Sequence, residues 1–230
     1  VKRQEKEISL AVRLVSYTQP TEEFKDEGLE NVQDLIAFCA KVSNPAAQIN
    51  KETSEKLIKY LIKHQHWSPL EMANAVMEIE TTRDIAHQIV RHRSFAFQEF
   101  SQRYADPKEM GDMFVVREAR LQDPKNRQNS IDNTDDMLQD KWEELQQDVM
   151  FAAGNAYKWA IENGIAKEQA RSVLPEGCTK TRLYMNGTLR SWVHYIELRG
   201  ANGTQKEHME IAHACAKAIS EIFPLVDEIT

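Results

Sequence analysis

The 230-residue chain is 41% hydrophobic and 28% charged, enough for one sizeable core and ordinary for a soluble globular protein. Its 29 basic and 36 acidic side chains give a formal charge of −7, which disfavours a general nucleic-acid binder, and no long apolar run indicates a transmembrane helix. Val1 to Glu7 are charged and lack the apolar stretch of a secretory signal, while Cys39, Cys178 and Cys215 form an odd set without close spacing and read as small core residues in a reducing cytosol.

Residues 8–17 mix β-branched and apolar side chains and read as a strand. Val32, Leu35, Ile36, Cys39 and Val42 recur at helical spacing over 31–42, and Asn44-Pro45 stops that helix. Leu57, Ile58, Leu61 and Ile62 repeat the pattern over 53–64. The loop His66-Trp67-Ser68-Pro69 then leads to a second strand over 72–81. Ile85, Ala86, Ile89 and Val90 form the buried stripe of a helix over 82–92, with Thr81 or Thr82 as its cap. Residues 95–104 read as a loop or irregular strand, 113–117 as a short strand, and 122–133, polar with Pro124, as a loop.

The longest helical signal runs over 134–162 through Met137, Leu138, Trp142, Leu145, Val149, Ala152, Ala156 and Trp159, and Asn163-Gly164 caps it. That stripe is explained more simply as core or oligomer interface than as the docking face of a helical interaction protein. A short helix over 167–174 ends at Pro175, and 181–187 reads as a strand. A helix over 189–199 turns Leu189, Trp192, Val193 and Ile196 inward. Gly200 and Gly203 break the chain before a final helix over 205–223, ended by Pro224. No repeat, low-complexity linker or boundary interrupts the chain, so the mixture predicts one α+β domain over 1–230.

The arginines are unevenly placed: Arg83, Arg91, Arg93 and Arg103 fall close together, while Asp132 to Asp148 is acidic. In an acidic chain this points to a small anionic ligand in a pocket. Residues 88–104 carry Arg91-His92-Arg93 at a helix end, then Glu99, Ser101, Gln102, Arg103 and Tyr104. Guanidinium forks suit phosphate, the hydroxyl and amide suit a sugar or base, and Glu99 can orient an arginine or accept from a sugar hydroxyl. From the residues alone a second reading stays open, a solvated basic helix end favoured by the helix dipole. His64 and His66 are two apart with no third ligand, so no metal site is expected.

The segment resembles the flavin-dependent thymidylate synthases. Arg91-His92-Arg93, seven residues, then Ser101 match that family's signature, a coincidence expected in about one of several hundred chains of this length. His66-Trp67-Ser68-Pro69-Leu70-Glu71, Ala170-Arg171-Ser172-Val173-Leu174-Pro175 and the stretch Leu189 to Arg199 resemble three further family elements, in the family's order. The resemblance covers about residues 66–211. It implies a mostly antiparallel, twisted sheet flanked by helices, and a cytoplasmic homotetramer with active sites shared between subunits. It further implies FAD as cofactor, with NADPH and methylene-tetrahydrofolate as co-substrates in the methylation of dUMP to dTMP.

Carried over residue by residue, the resemblance places FAD against His66, Ser68, Arg91, His92, Arg93, Glu99, Arg190 and His194. It places dUMP against Gln88, Arg91, Glu99, Ser101, Gln102, Arg103, Arg171 and Arg199. Arg199 is the expected catalytic residue, its guanidinium stabilising negative charge at the uracil N3 and O2. Ser101 has no adjacent base and is read as a binding hydroxyl rather than a nucleophile. Gln88 and Arg91 are expected to face the 99–103 loop of a neighbouring subunit. One departure stands out: where many relatives continue Arg-x-x-x-His, Gly203 stands four residues after Arg199, leaving Gln205 and His208 as candidate replacements for the histidine. No Gly-x-Gly-x-x-Gly fingerprint is present, so FAD is implied by the family alone. Against these stands a nucleotide-binding protein without catalysis.

Overall fold

The computed structural model describes residues 11–225. Its sheet grows from two strands with two-residue periodicity. In β2 (Asn74–Thr82) Ala75, Met77, Ile79 and Thr81 point into the core, and in β6 (Lys180–Thr188) Thr181, Leu183, Met185 and Gly187 do the same. The two strands pair antiparallel along their whole length, Asn74 opposite Thr188 and Met77 opposite Met185. A slip of one residue would turn Met77, Ile79, Leu183 and Met185 to the polar face, so the register is set by burial. β1 (Val12–Tyr17) joins the free edge of β2 and β3 (Ala96–Glu99) that of β6, giving the order β1-β2-β6-β3 with every neighbour antiparallel.

The other face of these strands carries charge. Arg13 pairs with Glu78, Arg182 with Glu80, and Tyr184 donates to Glu78 at 2.8 Å. The helices α2 (Val32–Ala40), α3 (Ser54–Lys63), α4 (Arg83–Ile89), α7 (Leu189–Gly200) and α8 (Lys206–Ser220) supply the rest of the apolar cluster. Ile36, Ile58, Ile85, Ile89, Trp192, Ile196 and Ile211 meet Met77, Ile79, Leu183 and Met185 there. Emptying one such site, Leu183→Ala for example, would cost about 2–5 kcal/mol.

A smaller cluster of Met113, Tyr157, Ala160, Ala170 and Leu174 lies between α5 (Asp136–Glu162) and α6 (Lys167–Ala170). Asp135 caps α5 by accepting from the amides of Met137 and Leu138, and Gly164, at φ +77°, ends it as expected. The apolar stripe of α5 does not enter this core. Its buried face is Gln146, Met150, Ala153, Tyr157 and Ala160, while Met137, Trp142, Val149 and Trp159 are exposed, Trp159 by 61%.

Elsewhere the sequence reading holds or needs correction. The helix over 31–42, the helix over 53–64 and the two long strands lie where periodicity puts them. A short helix, α1 (Glu22–Asp26), was not anticipated. Thr82 is the α4 cap residue, yet its hydroxyl donates to Asp84 instead of accepting from the helix. Residues 113–117 are not a strand: a single bridge, Phe114 to Thr179, is formed, because the amide of Arg117 turns away to the Gln146 side chain. The expected loop over 122–133 holds most of a hairpin, β4 (Arg120–Gln122) with β5 (Ser130–Asp132). The expected strand over 8–17 is described only from Val12, and the charged segment Val1 to Glu7 lies outside the described residues. No described helix is long and apolar enough to cross a membrane.

Candidate functional site

Three groups of side chains meet around α4 and α7. The first lies at the carboxy-terminal end of α4. Arg199, in the last turn of α7, donates through Nε to Nε2 of His92 at 2.9 Å. An arginine cannot accept, so His92 is neutral with its proton on Nδ1. Burial, and then the Arg199 charge, hold the His92 pKa below its ordinary value. The Tyr195 ring stands edge-on to His92 at 5.0 Å. Behind them His208 is wholly buried, with Nε2 3.1 Å from the Tyr195 hydroxyl and Nδ1 3.3 Å from the Gln88 carboxamide oxygen. Gln88 donates in turn to Gln205 at 2.8 Å.

The second group surrounds the other end of α4. Arg83 Nη1 lies 3.1 Å from Glu99 Oε1, which also accepts from the Thr181 hydroxyl at 3.0 Å. Arg83 opens onto a cleft of about 510 Å³, lined also by Gln102, Glu168, Arg171, Ser172, Leu174 and Glu176. Gln102 is 3% exposed, and its Nε2 has no hydrogen-bond partner among the described residues. A buried amide donor without an acceptor costs about 1–3 kcal/mol, so this atom is poised for a ligand oxygen. Arg103 reaches Glu168 at 3.4 Å, while Arg171 carries no ion pair among the described residues. Ser101 is half-buried, and no described base is hydrogen-bonded to its hydroxyl.

The third group joins the 66–71 loop to the start of α7. Arg190 is ion-paired with Glu71, and His194, one turn later, meets the edge of Trp67 at 4.7 Å. Ser191 Oγ donates to the Ser94 carbonyl at 3.3 Å, tying α7 to the segment after Arg93. Gly187 makes this approach possible, because a Cβ there would overlap the Phe95 ring, which packs on Trp192 at 4.9 Å. His66 and Ser68 are exposed on the same loop, and Arg91 and Arg93 are exposed without ion pairs among the described residues.

The model of the thymidylate synthase complementing protein family matches residues 13–225. The chain belongs to that family. A probable flavin-dependent thymidylate synthase of Paramecium bursaria Chlorella virus 1 is 46% identical over 94% of this chain and 97% of its own. The flavin-dependent thymidylate synthase of Synechocystis sp. is also 46% identical, over 94% of this chain and 96% of its own. The fold is that of the UMP/dUMP methylase PolB from Streptomyces cacaoi, solved with 5-Br dUMP, at TM-score 0.79 and 24% identity over 96% of this chain and 93% of that one.

Within this family member, the sequence-expected residues divide among the three groups. Gln88, His92 and Arg199 come together, as do Glu99, Gln102, Arg103 and Arg171, while Arg190 and His194 meet the loop of His66 and Ser68. Arg91 and Arg93, on either side of His92 in the chain, are exposed and carry no ion pair among the described residues. The candidate replacements for the missing family histidine behave differently from expectation: Gln205 and His208 both bond to Gln88, and the burial of His208 keeps it from any surface ligand. In the sequence Arg83 stands only in the arginine cluster and Glu71 only within a family element, neither with a site role, and Tyr195 and the linkage through His208 carry no signal. Arg83 and His87 share one face of α4 by their four-residue spacing, and His87 reaches Glu176 at 3.3 Å, so periodicity alone could have placed Arg83 beside this cleft. The other contacts join residues far apart in sequence and leave no spacing signal.

Proposed function

We propose that this chain is a flavin-dependent thymidylate synthase that methylates dUMP to dTMP. The observation that carries the reading is the meeting of His92 and Arg199, from two family elements 107 residues apart, at one hydrogen bond. The donor set fits a flavin dinucleotide. Arg91 and Arg93 are unpaired forked donors suited to a pyrophosphate, and Ser68, Arg190 and His194 add polar groups on the adjoining face. FAD held by these residues would supply the hydride-transfer chemistry, with NADPH and methylene-tetrahydrofolate as the co-substrates of the proposed reaction.

The protein's own contribution is binding and polarisation. Arg171 and Gln102 line a cleft of ordinary ligand size and offer charge and a donor to a phosphorylated nucleotide, with Ser101 and Arg103 flanking Gln102 in the chain. Arg199 stabilises negative charge on the uracil, raising electron density at C5 for bond formation with the methylene carbon. His92 holds that guanidinium through Nε, leaving its terminal nitrogens for the substrate. Glu99, bonded to Arg83 and Thr181, keeps one oxygen for a ligand hydroxyl.

The Gln88–Arg199 group and the Gln102–Arg171 cleft lie at opposite ends of α4, and the apolar stripe of α5 is exposed. Both features favour a homotetramer whose sites combine groups from two subunits. Methylation at C5 must expel the C5 proton, so tritium release from dUMP labelled at that carbon tests the reading. Release that requires FAD, NADPH and methylene-tetrahydrofolate together is expected; label retained in the folate-loaded, reduced enzyme would argue for a nucleotide binder instead.

A further inference from the structure

His208, a candidate replacement for the family histidine, occupies a fully enclosed position beside the site. It is 0% exposed, in the first turn of α8, where helix-end amides disfavour a cation. Burial, then Arg199 and His92, push its pKa down to about 3. The ring is therefore neutral, with one donor and one acceptor.

Its two neighbours decide which nitrogen is which. The Tyr195 hydroxyl is buried and meets only His208 Nε2 among the described residues, at 3.1 Å. If Nε2 carried the proton, the phenol would have to accept, and its own O–H would be left buried without an acceptor, costing about 1–3 kcal/mol. With the proton on Nδ1 every group is satisfied. Tyr195 donates to Nε2, Nδ1–H donates to the Gln88 oxygen at 3.3 Å, and Gln88 donates to Gln205 at 2.8 Å. The chain of bonds runs in one direction and holds the carboxamide oxygen of Gln88 toward His208, so the second N–H of the carboxamide stays available, with no partner among the described residues.

We propose that His208, set by Tyr195, is a positioning residue that fixes Gln88 as a hydrogen-bond donor toward an acceptor oxygen of the nucleotide. The proposal rests on Gln88 facing dUMP. Without His208 the amide is free to turn over and present its oxygen, repelling the group it should hold. The same linkage braces the reaction centre, since the Tyr195 ring packs against both His208, at 5.7 Å, and His92, at 5.0 Å.

Two measurements test this on the FAD-loaded enzyme. The first is calorimetric dUMP affinity. H208L should weaken binding about tenfold, the loss of one oriented hydrogen bond. H208N, whose amide nitrogen replaces Nδ1, should restore affinity to within about threefold of wild type. In a Q88A background H208L should add nothing, which a merely structural role would not produce. Should the leucine variant not fold, Y195F carries the comparison, weakening dUMP in the parent and leaving Q88A unchanged. Unaltered affinity in H208L, or an equal loss with and without Gln88, overturns the proposal. The second measurement needs no nucleotide: ¹⁵N spectra of histidine-labelled protein should show His208 protonated at Nδ1, and an Nε2–H tautomer overturns the proposal. A wild-type enzyme with the Nδ1–H tautomer but no dUMP affinity would contradict the function reading itself, and the donor role built on it.

Discussion

Arg199 and His92 share one hydrogen bond at 2.9 Å, and through it the last turn of α7 is fastened to the segment after α4. The bond runs from a permanent cation to a neutral imidazole, so it fixes direction without neutralising charge. The guanidinium keeps its full charge for a developing anion in the substrate.

Removing that guanidinium should therefore act on the chemistry. Arg199→Ala is expected to lower turnover by about 10²–10³-fold while FAD remains bound, as judged by the visible flavin band after gel filtration. Burial is the larger cause of the low His92 pKa, but Arg199 contributes, so the variant should also raise the His92 pKa toward the ordinary value in an NMR titration. A variant turning over at the wild-type rate would remove Arg199 from its role.

Ser101 should behave as a binding group. Ser101→Ala is expected to raise the KM for dUMP and retain measurable turnover, the loss of one neutral hydrogen bond being worth about 0.5–1.5 kcal/mol. Complete loss of turnover with unchanged dUMP affinity would instead make the hydroxyl a reacting group.

Much of the fold was legible from periodicity, and the limits are instructive in α5. The spacing of Leu138, Trp142, Leu145, Val149 and Trp159 gave the helix its length correctly, since helical period is a local property. It did not reveal that the stripe faces outward, because the inner face mixes Met150 and Tyr157 with Gln146, Ala153 and Ala160 and so carries a weaker hydrophobic signal than the exposed one. The family elements gave most of the site residues. Gln205 and His208 were expected only as stand-ins for the family histidine; their linkage to Gln88 and Tyr195 joins three separate elements and leaves no spacing signal.

The exposed stripe makes its own prediction. Val149→Glu and Trp159→Glu place charge on surfaces that are 54% and 61% exposed in one chain, so the isolated fold should tolerate them. Sedimentation velocity should show smaller species than the wild type, and turnover should fall with assembly if sites are shared. Unchanged assembly in both variants would separate α5 from the subunit interface.

A half-buried ionic hub holds the first turns of α4 and α8 in place. Arg117 donates to Asp84 at 2.8 Å, to Thr82 at 2.6 Å and to the Gly177 carbonyl at 3.0 Å, and pairs with Glu207 at 3.0 Å. Arg117→Met leaves Glu207 with Arg120 but strips Asp84, and should cost about 3–5 kcal/mol in urea unfolding. A cost below about 1 kcal/mol would mean the hub is solvated like a surface pair.

Acid should loosen the fold through His208. Its folded pKa of about 3 lies below the ordinary 6.5, so the unfolded chain takes up the proton first as pH falls. The stabilisation is whole above pH 6.5 and declines toward pH 3, with a limiting slope of about 1.4 kcal/mol per unit. Unfolding free energies from pH 7.5 to 4.5 should therefore fall more steeply for wild type than for His208→Leu; parallel curves would mean that His208 is protonated in the fold.

The reaction itself is tested most directly by dTMP formation from dUMP, with NADPH and methylene-tetrahydrofolate, in protein stripped of flavin and then with FAD restored. Product that appears only after FAD returns is the predicted result. No product with FAD firmly bound would mean a flavoprotein acting on another substrate, and product from the stripped protein would contradict the flavin's part in the reaction.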